Sequence, residues 1–198
     1  MITATMAIEK RKSLWHTTGS LEQDKELREA TAAYIISEKG QLMREEVRNN
    51  PEYLIELFFY IIDKDQRTVP FFLNTVQQEL MSIINADIAL YEQGKKNHLK
   101  YLLLKGRQQG MTSFISAYQL ARAITYKNFQ GYTMADNADN TEAIFADKAK
   151  YYFDSLPERI KPSVKYSNRK ELDFSKENGK GMNSKWRVAT AGNTDAGR

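Results

Sequence analysis

The residues best equipped for chemistry lie in one run, Lys105-Gly106-Arg107-Gln108-Gln109-Gly110-Met111-Thr112-Ser113. Two glycines, two cations beside them and two hydroxyls after them are the parts of a phosphate cradle. Glycine lets the backbone approach a ligand closely. A helix starting behind the second glycine adds unpaired N–H groups and the positive end of its dipole. The usual phosphate loop reads G-x-x-x-x-G-K-[ST]. Here the spacing is one residue short, and Met111 stands at the lysine position. Methionine carries no charge, so the charge must come from Lys105 or Arg107. Thr112, with Ser113 as alternate, holds the hydroxyl position that would ligate Mg²⁺. The plainer reading is a basic turn in an ordinary α/β domain.

The flanking residues predict the elements that position this run. Leu99 and Tyr101-Leu102-Leu103-Leu104 form a short apolar run, expected to be a strand buried on both faces of a parallel sheet. Phe114, Ala117, Tyr118, Ala121 and Ile124 recur at helical spacing, which predicts a helix over about 112–126. Upstream, Asn74 is expected to cap a helix over 75–93, with Gln77 as its third-residue partner and Gly94 as its stop. Downstream, residues 131–135 read as a second strand. Asp139 and Glu142 read as the capping pair of a helix closed by Leu156-Pro157. Residues 165–167 and 171–174 read as a hairpin around Asn168-Arg169, and 186–190 as a third strand. This alternation predicts a parallel sheet with right-handed crossovers. Asp136 follows a strand end, where ligands sit in such sheets, although a loop cap is the plainer role.

The run KGRQQGMTS resembles the deviant phosphate loop of large terminase subunits, the DNA-packaging motors of tailed bacteriophages. In that family the lysine often moves to the start of the loop, and an arginine–glutamine pair precedes the second glycine. Three further stretches fit the same family in the same order: PFFLNTVQQEL, GYTMADNADNTEAIFADKAKYYFDSLPERIKP and RVATAGNTDAGR. The likeness covers residues 70–198. It implies a P-loop NTPase fold of the RecA/ASCE-like kind, a parallel sheet flanked by helices, with an N-terminal helical extension. It implies ATP and Mg²⁺ as cofactors, with Lys105, Gly106, Arg107, Gln108, Gln109, Gly110, Met111, Thr112 and Ser113 around the phosphates. It assigns Gln77 to adenine, with Gln78 if the register slips by one. Arg107 in cis, or Arg198 as a finger reaching a neighbouring subunit, would stabilise charge on the transferring phosphoryl group. The family's acidic strand and nuclease domain would follow residue 198, so the resemblance implies a fragment that binds nucleotide and turns it over poorly. Its partners would be double-stranded DNA, the portal protein and the small terminase subunit, in a ring on the procapsid in the host cytoplasm.

Ahead of this part, residues 1–19 lack periodicity and are expected to be a mobile arm. Ser20 should cap a helix over 21–39 that stops at Gly40. Asn50-Pro51 marks the next helix start. Residues 53–62 are apolar almost all round and should form a buried helix with Asp63 as its polar end. The expected division is therefore 1–65 as arm and helical extension and 66–198 as partial ATPase domain.

Composition is compatible with this and decides little. The 198 residues are 41% hydrophobic and 27% charged, with net charge +4. That charge permits contact with DNA phosphate without requiring it. The absence of cysteine excludes disulfides and thiolate-ligated zinc. No apolar run reaches the length of a membrane span, and the basic N-terminus lacks the apolar core of a secretory signal. Two other classes remain beside the motor: another P-loop nucleotide enzyme such as a helicase, and a non-hydrolysing nucleic-acid or assembly module.

Overall fold

The computed structural model describes residues 2–104, 106, 109–167, 170–175 and 181–191. Its first element is a helix, α1 (Ala4–Thr18), and not the mobile arm expected from the sequence. Thr3 caps it by accepting the Met6 N–H, and Gly19 ends it at φ +58°. The buried seam is Ala4, Ala7, Ile8 and Arg11. That is the i, i+3, i+4, i+7 spacing of a packed helix, but two positions are alanine and one is arginine, so hydrophobicity hardly marks it.

Ser20 caps α2 (Leu21–Ile36), which ends short of the expected 39. A 3₁₀ turn at Glu38–Gly40 leads into α3 (Gln41–Asn49). Gly40 is required there by close approach, since a Cβ would lie 2.1 Å from the Tyr34 carbonyl oxygen. Pro51 opens α4 (Pro51–Phe58). The expected helix over 53–62 stops at Phe58, because Tyr60–Ile62 is a strand, β1, paired antiparallel with β2 (Thr68–Pro70). Aromatic and β-branched residues suit a pleated surface at least as well as a helix. Asp63 is thereby a turn residue and not a helix end. It accepts from the Asp65 and Arg67 backbone N–H groups and from the Arg67 guanidinium.

The helix α5 (Thr75–Glu92) carries the expected capping box between Asn74 and Gln77, and Gly94 follows it at φ +70°. Next come α6 (Met111–Thr125), β3 (Gln130–Ala135) and α7 (Ala138–Ile144). The cap of α7 is Asn137, two residues before the expected Asp139; its side chain accepts the Asn140 N–H. A π-helical stretch, Phe145–Lys150, carries α7 into α8 (Tyr151–Asp154). The strands β4 (Tyr166–Ser167), β5 (Glu171–Asp173) and β6 (Lys185–Thr190) complete a sheet of order β3-β6-β5-β4.

This sheet is mixed and not wholly parallel. β3 and β6 run parallel, with Gly131 opposite Trp186 and Ala135 opposite Thr190. The β4–β5 and β5–β6 pairs are antiparallel. Residues 99–104, expected as a buried strand, form none: Leu102 and Leu104 are fully exposed. A buried strand must have its N–H and C=O groups taken by neighbours. Among the described residues, β3 pairs on one side only, and nothing pairs with 99–104. That segment instead runs beside α5, where Leu102, Leu103 and Leu104 face Val76, Leu80 and Ile83 across a shallow groove.

One apolar core runs from Ala4 to Val188. Phe59 stacks on Tyr152 at 5.5 Å, and Phe145 on Trp186 at 6.0 Å. Arg28 of α2 donates to the carbonyls of Phe58 and Ser155. The expected boundary at 65/66 thus falls within continuous packing. The class is mixed α/β, and among the described residues no helix is long and apolar enough to cross a membrane.

Candidate functional site

A cleft of about 740 Å³ opens where three elements meet. The N-terminus of α6 supplies Gly110, Met111, Thr112 and Ser113. The carboxyl end of β3 supplies Thr133, Met134, Ala135 and Asp136. From α7 and the π-helical stretch come Asn140, Ile144 and Lys148, and Leu103 also lines it.

Local chemistry explains how the chain enters α6. Gly110 adopts the left-handed conformation at φ +67°, which a residue with a Cβ adopts only with strain. The first helical hydrogen bond then runs from the Phe114 N–H to the Gly110 carbonyl at 2.9 Å. Thr3, Ser20, Asn74 and Asn137 cap α1, α2, α5 and α7 with their side chains. Gly110 has no side chain to do so, and among the described residues α6, like α3 and α4, has no such cap. Its first-turn N–H groups therefore lie at the cleft as hydrogen-bond donors. Thr112 is exposed and Ser113 half-buried at the same opening.

Met111 has a different role from the lysine whose place it takes. It is 5% exposed and belongs to the apolar core, where it also forms the floor of the groove along α5. It anchors the first turn of α6 by packing.

Across the cleft, Asp136 accepts from the Asn137 N–H at 3.0 Å and from Asn140 Nδ2 at 2.6 Å. The Asn140 bond holds its carboxyl below the usual range, so it is an anion at neutral pH. It is a loop-capping residue that also presents a carboxylate to the cleft. Lys148, half-buried, is the one cation among the described residues that lines the cleft. Sequence reasoning missed it, because a π-helical stretch shifts the register of every residue that follows. Gln119 braces the wall: its Oε1 accepts from Thr133 Oγ1 at 2.6 Å and also from Trp186 Nε1.

The sequence-predicted residues divide into four groups. Gly110, Met111, Thr112 and Ser113 come together at the cleft. Gly106 and Gln109 are exposed and are not among the residues lining it; Gln109 lines the groove along α5. Lys105, Arg107, Gln108 and Arg198 lie outside the described residues. Gln77 is buried against Gly110 and is not among the residues lining the cleft. Gln78 donates to the Leu73 carbonyl at 2.8 Å.

The chemistry available is anion binding by backbone N–H groups and the α6 dipole, with Lys148 opposite. The Thr112 hydroxyl and Asp136 carboxylate are hard oxygen donors of the kind Mg²⁺ takes. Among the described residues no cluster of three histidine or acidic side chains could hold a metal by itself. No family model matches the chain, and no curated protein matches it.

Proposed function

We propose that this cleft binds the triphosphate of Mg²⁺-ATP, and that the chain is the nucleotide-binding part of a viral DNA-packaging motor of the large-terminase kind. One observation carries the reading. A left-handed glycine delivers the chain into an uncapped helix N-terminus, beside two hydroxyls and at the carboxyl end of a parallel strand. This combination favours a bound polyanion. The cleft's volume falls in the range of small-ligand sites, roughly 300–1,000 Å³.

In this reading the α6 N–H groups and Gly110 hold the phosphates. Thr112, or Ser113, offers its hydroxyl to the cation. Lys105 or Arg107 supplies the charge that Met111 lacks. Phosphoryl transfer depends on such positioning and charge more than on covalent help. The coupled work would be translocation of double-stranded DNA through a portal into a procapsid, by a ring of subunits assisted by the small terminase subunit.

Calorimetry with Mg²⁺-ATP and Mg²⁺-ADP tests the reading on the chain and on Lys105→Ala and Arg107→Ala. We expect binding by the parent and a loss of at least about tenfold in the lysine variant, the order of one charge-assisted hydrogen bond. A parent chain that binds neither nucleotide, yet binds DNA in a salt-sensitive way unaffected by ATP, would sink the motor reading in favour of a nucleic-acid module.

A further inference from the structure

Gln77 lies in the first turn of α5 and is 2% exposed. Both ends of its amide are engaged. Oε1 accepts the Asn74 N–H at 3.1 Å, which closes the capping box, and Nε2 donates to the Gly110 carbonyl at 3.2 Å. One side chain thus joins the start of α5 to the residue that opens α6. A second link runs beside it, from Asn74 Nδ2 to the Gln109 carbonyl at 3.4 Å. The fit is close: a Cβ on Gly110 would lie 3.0 Å from Gln77 Nε2, at a φ of +67° that already disfavours one.

To read adenine, an amide must present a donor and an acceptor together along one open edge. Gln77 has no open edge, and it is separated from the cleft by Gly110 itself. We infer that Gln77 is a positioning residue that latches Gly110 to α5, keeps the first turn of α6 presented to the cleft, and takes no part in reading the base. The inference rests on the nucleotide reading above. It adds that Gln77 contributes to affinity through the phosphates alone, equally for every nucleoside triphosphate.

The logic is geometric. The Gly110 carbonyl accepts two hydrogen bonds, from Phe114 within α6 and from Gln77 across to α5. Without the second, the Gly110 carbonyl loses its tie to α5, and among the described residues the start of α6 is held by the packing of Met111 and Phe114, the weaker Asn74 contact and the long Tyr152 bond to the Ser113 carbonyl. Phosphate binding there requires several N–H groups held in register, so loosening the turn weakens every ligand that uses them.

The test uses Gln77→Met, Gly110→Ala and the double variant in the full chain. Two readouts are taken: amide hydrogen exchange over residues 111–116 without ligand, and calorimetric affinities for Mg²⁺-ATP, Mg²⁺-GTP and inorganic triphosphate. We expect faster exchange in both single variants. All three affinities should fall by a common factor of about five to ten in Gln77→Met, the order of one hydrogen bond. The double variant should fall no further than the worse single, because both changes act on one link. A loss confined to ATP, with GTP and inorganic triphosphate unchanged, would overturn the inference and return Gln77 to the base. Unchanged exchange in Gln77→Met would equally overturn it. If the parent binds none of the three ligands, the nucleotide reading fails, and the exchange data still decide the latch. Should Gln77→Met not fold, Gly110→Ala crowds the same link from its other end, keeps the Gln77 side chain, and carries the same readouts.

Discussion

Replacing Arg11 with methionine should cost about 3 kcal/mol of folding stability. The pair it breaks is fully enclosed: Arg11 is 2% exposed and Asp24 0%. The guanidinium meets the carboxylate in a bidentate arrangement, Nε to Oδ1 at 2.8 Å and Nη2 to Oδ2 at 2.9 Å. It also donates to the Glu56 carbonyl at 2.8 Å, which ties α1 to α4. Methionine replaces much of the stem and none of the donors. Removing one partner of a buried pair costs roughly 3–5 kcal/mol, chiefly because the other charge is stranded. Asp24 keeps the Tyr60 hydroxyl at 2.7 Å, which puts the value at the lower end. For a chain of this size the melting temperature should drop by about 6–12 °C. Urea unfolding followed by far-ultraviolet circular dichroism and by tryptophan fluorescence suits the measurement. Trp15 lies on α1 and Trp186 in the sheet, so coincident transitions also establish two-state behaviour. The double variant Arg11→Met/Asp24→Leu should recover part of the loss, since the Arg11–Asp24 pair is removed together, while the buried Arg28 and the Tyr60 hydroxyl lose Asp24 as a neighbour. A cost under about 1 kcal/mol for the single change would refute the reasoning, and would restore the view of residues 1–19 as an arm that contributes nothing to the core.

Two further changes test other parts of the fold. Glu52 has one carboxylate oxygen buried without a partner, and burial raises its pKa above the usual 4.5; Glu56 adds to the rise, while the bond from Asn85 and the charge of Arg122 oppose it. Because the folded state prefers the protonated form, its favourable contribution is complete below the unfolded value and is lost as pH rises through the folded one. Glu52→Gln should therefore be more stable than the parent by about 1 kcal/mol at pH 8, with the gap closing towards pH 4; a gap that widens on acidification would reverse the sign of the argument. Gly40→Ala should cost about 3 kcal/mol, at the upper end for overpacking, because the intruding Cβ meets backbone atoms of Tyr34 and Ile35 that cannot rotate away. A urea midpoint within error of the parent would show that the turn into α3 relaxes freely.

What could be read in advance depended on how local its cause was. Ser20, Asn74, Pro51 and Gly94 act within one turn of their own position, and each helix boundary they mark is observed. The stretch Ala135 to Asn140 offers several side chains able to cap, and only the direction of the chain leaving β3 selects Asn137 over Asp139. The α1 seam was illegible because its key residue is an arginine, apolar only in the sense that its charge is neutralised by a partner thirteen residues away. The run through Tyr60–Ile62 suited helix and strand alike, and its pairing with Thr68–Pro70 decided the matter. At the cleft, the glycine and hydroxyl positions followed from spacing, whereas Lys148 depended on a π-helical stretch without a sequence mark.

Met111 shows how one substitution can be both a departure from a motif and a structural necessity. At the first position of α6 it faces inward, between the cleft and the groove along α5, and is 5% exposed. A lysine held in that place would have its ammonium stripped of much of its water among apolar side chains, a costly arrangement unless a phosphate compensates it. Methionine removes that cost and lets the loop's entry into α6 be held by packing and by the Gln77–Gly110 bond in the absence of any ligand. On the proposed reading, the charge for an incoming anion is then free to come from elsewhere: from Lys148 across the cleft, and from Lys105 or Arg107 earlier in the sequence. On the proposed reading, separating the residue that anchors the loop from those that meet the charge would give a site formed before its ligand arrives, and preorganisation of that kind strengthens binding without any additional contact.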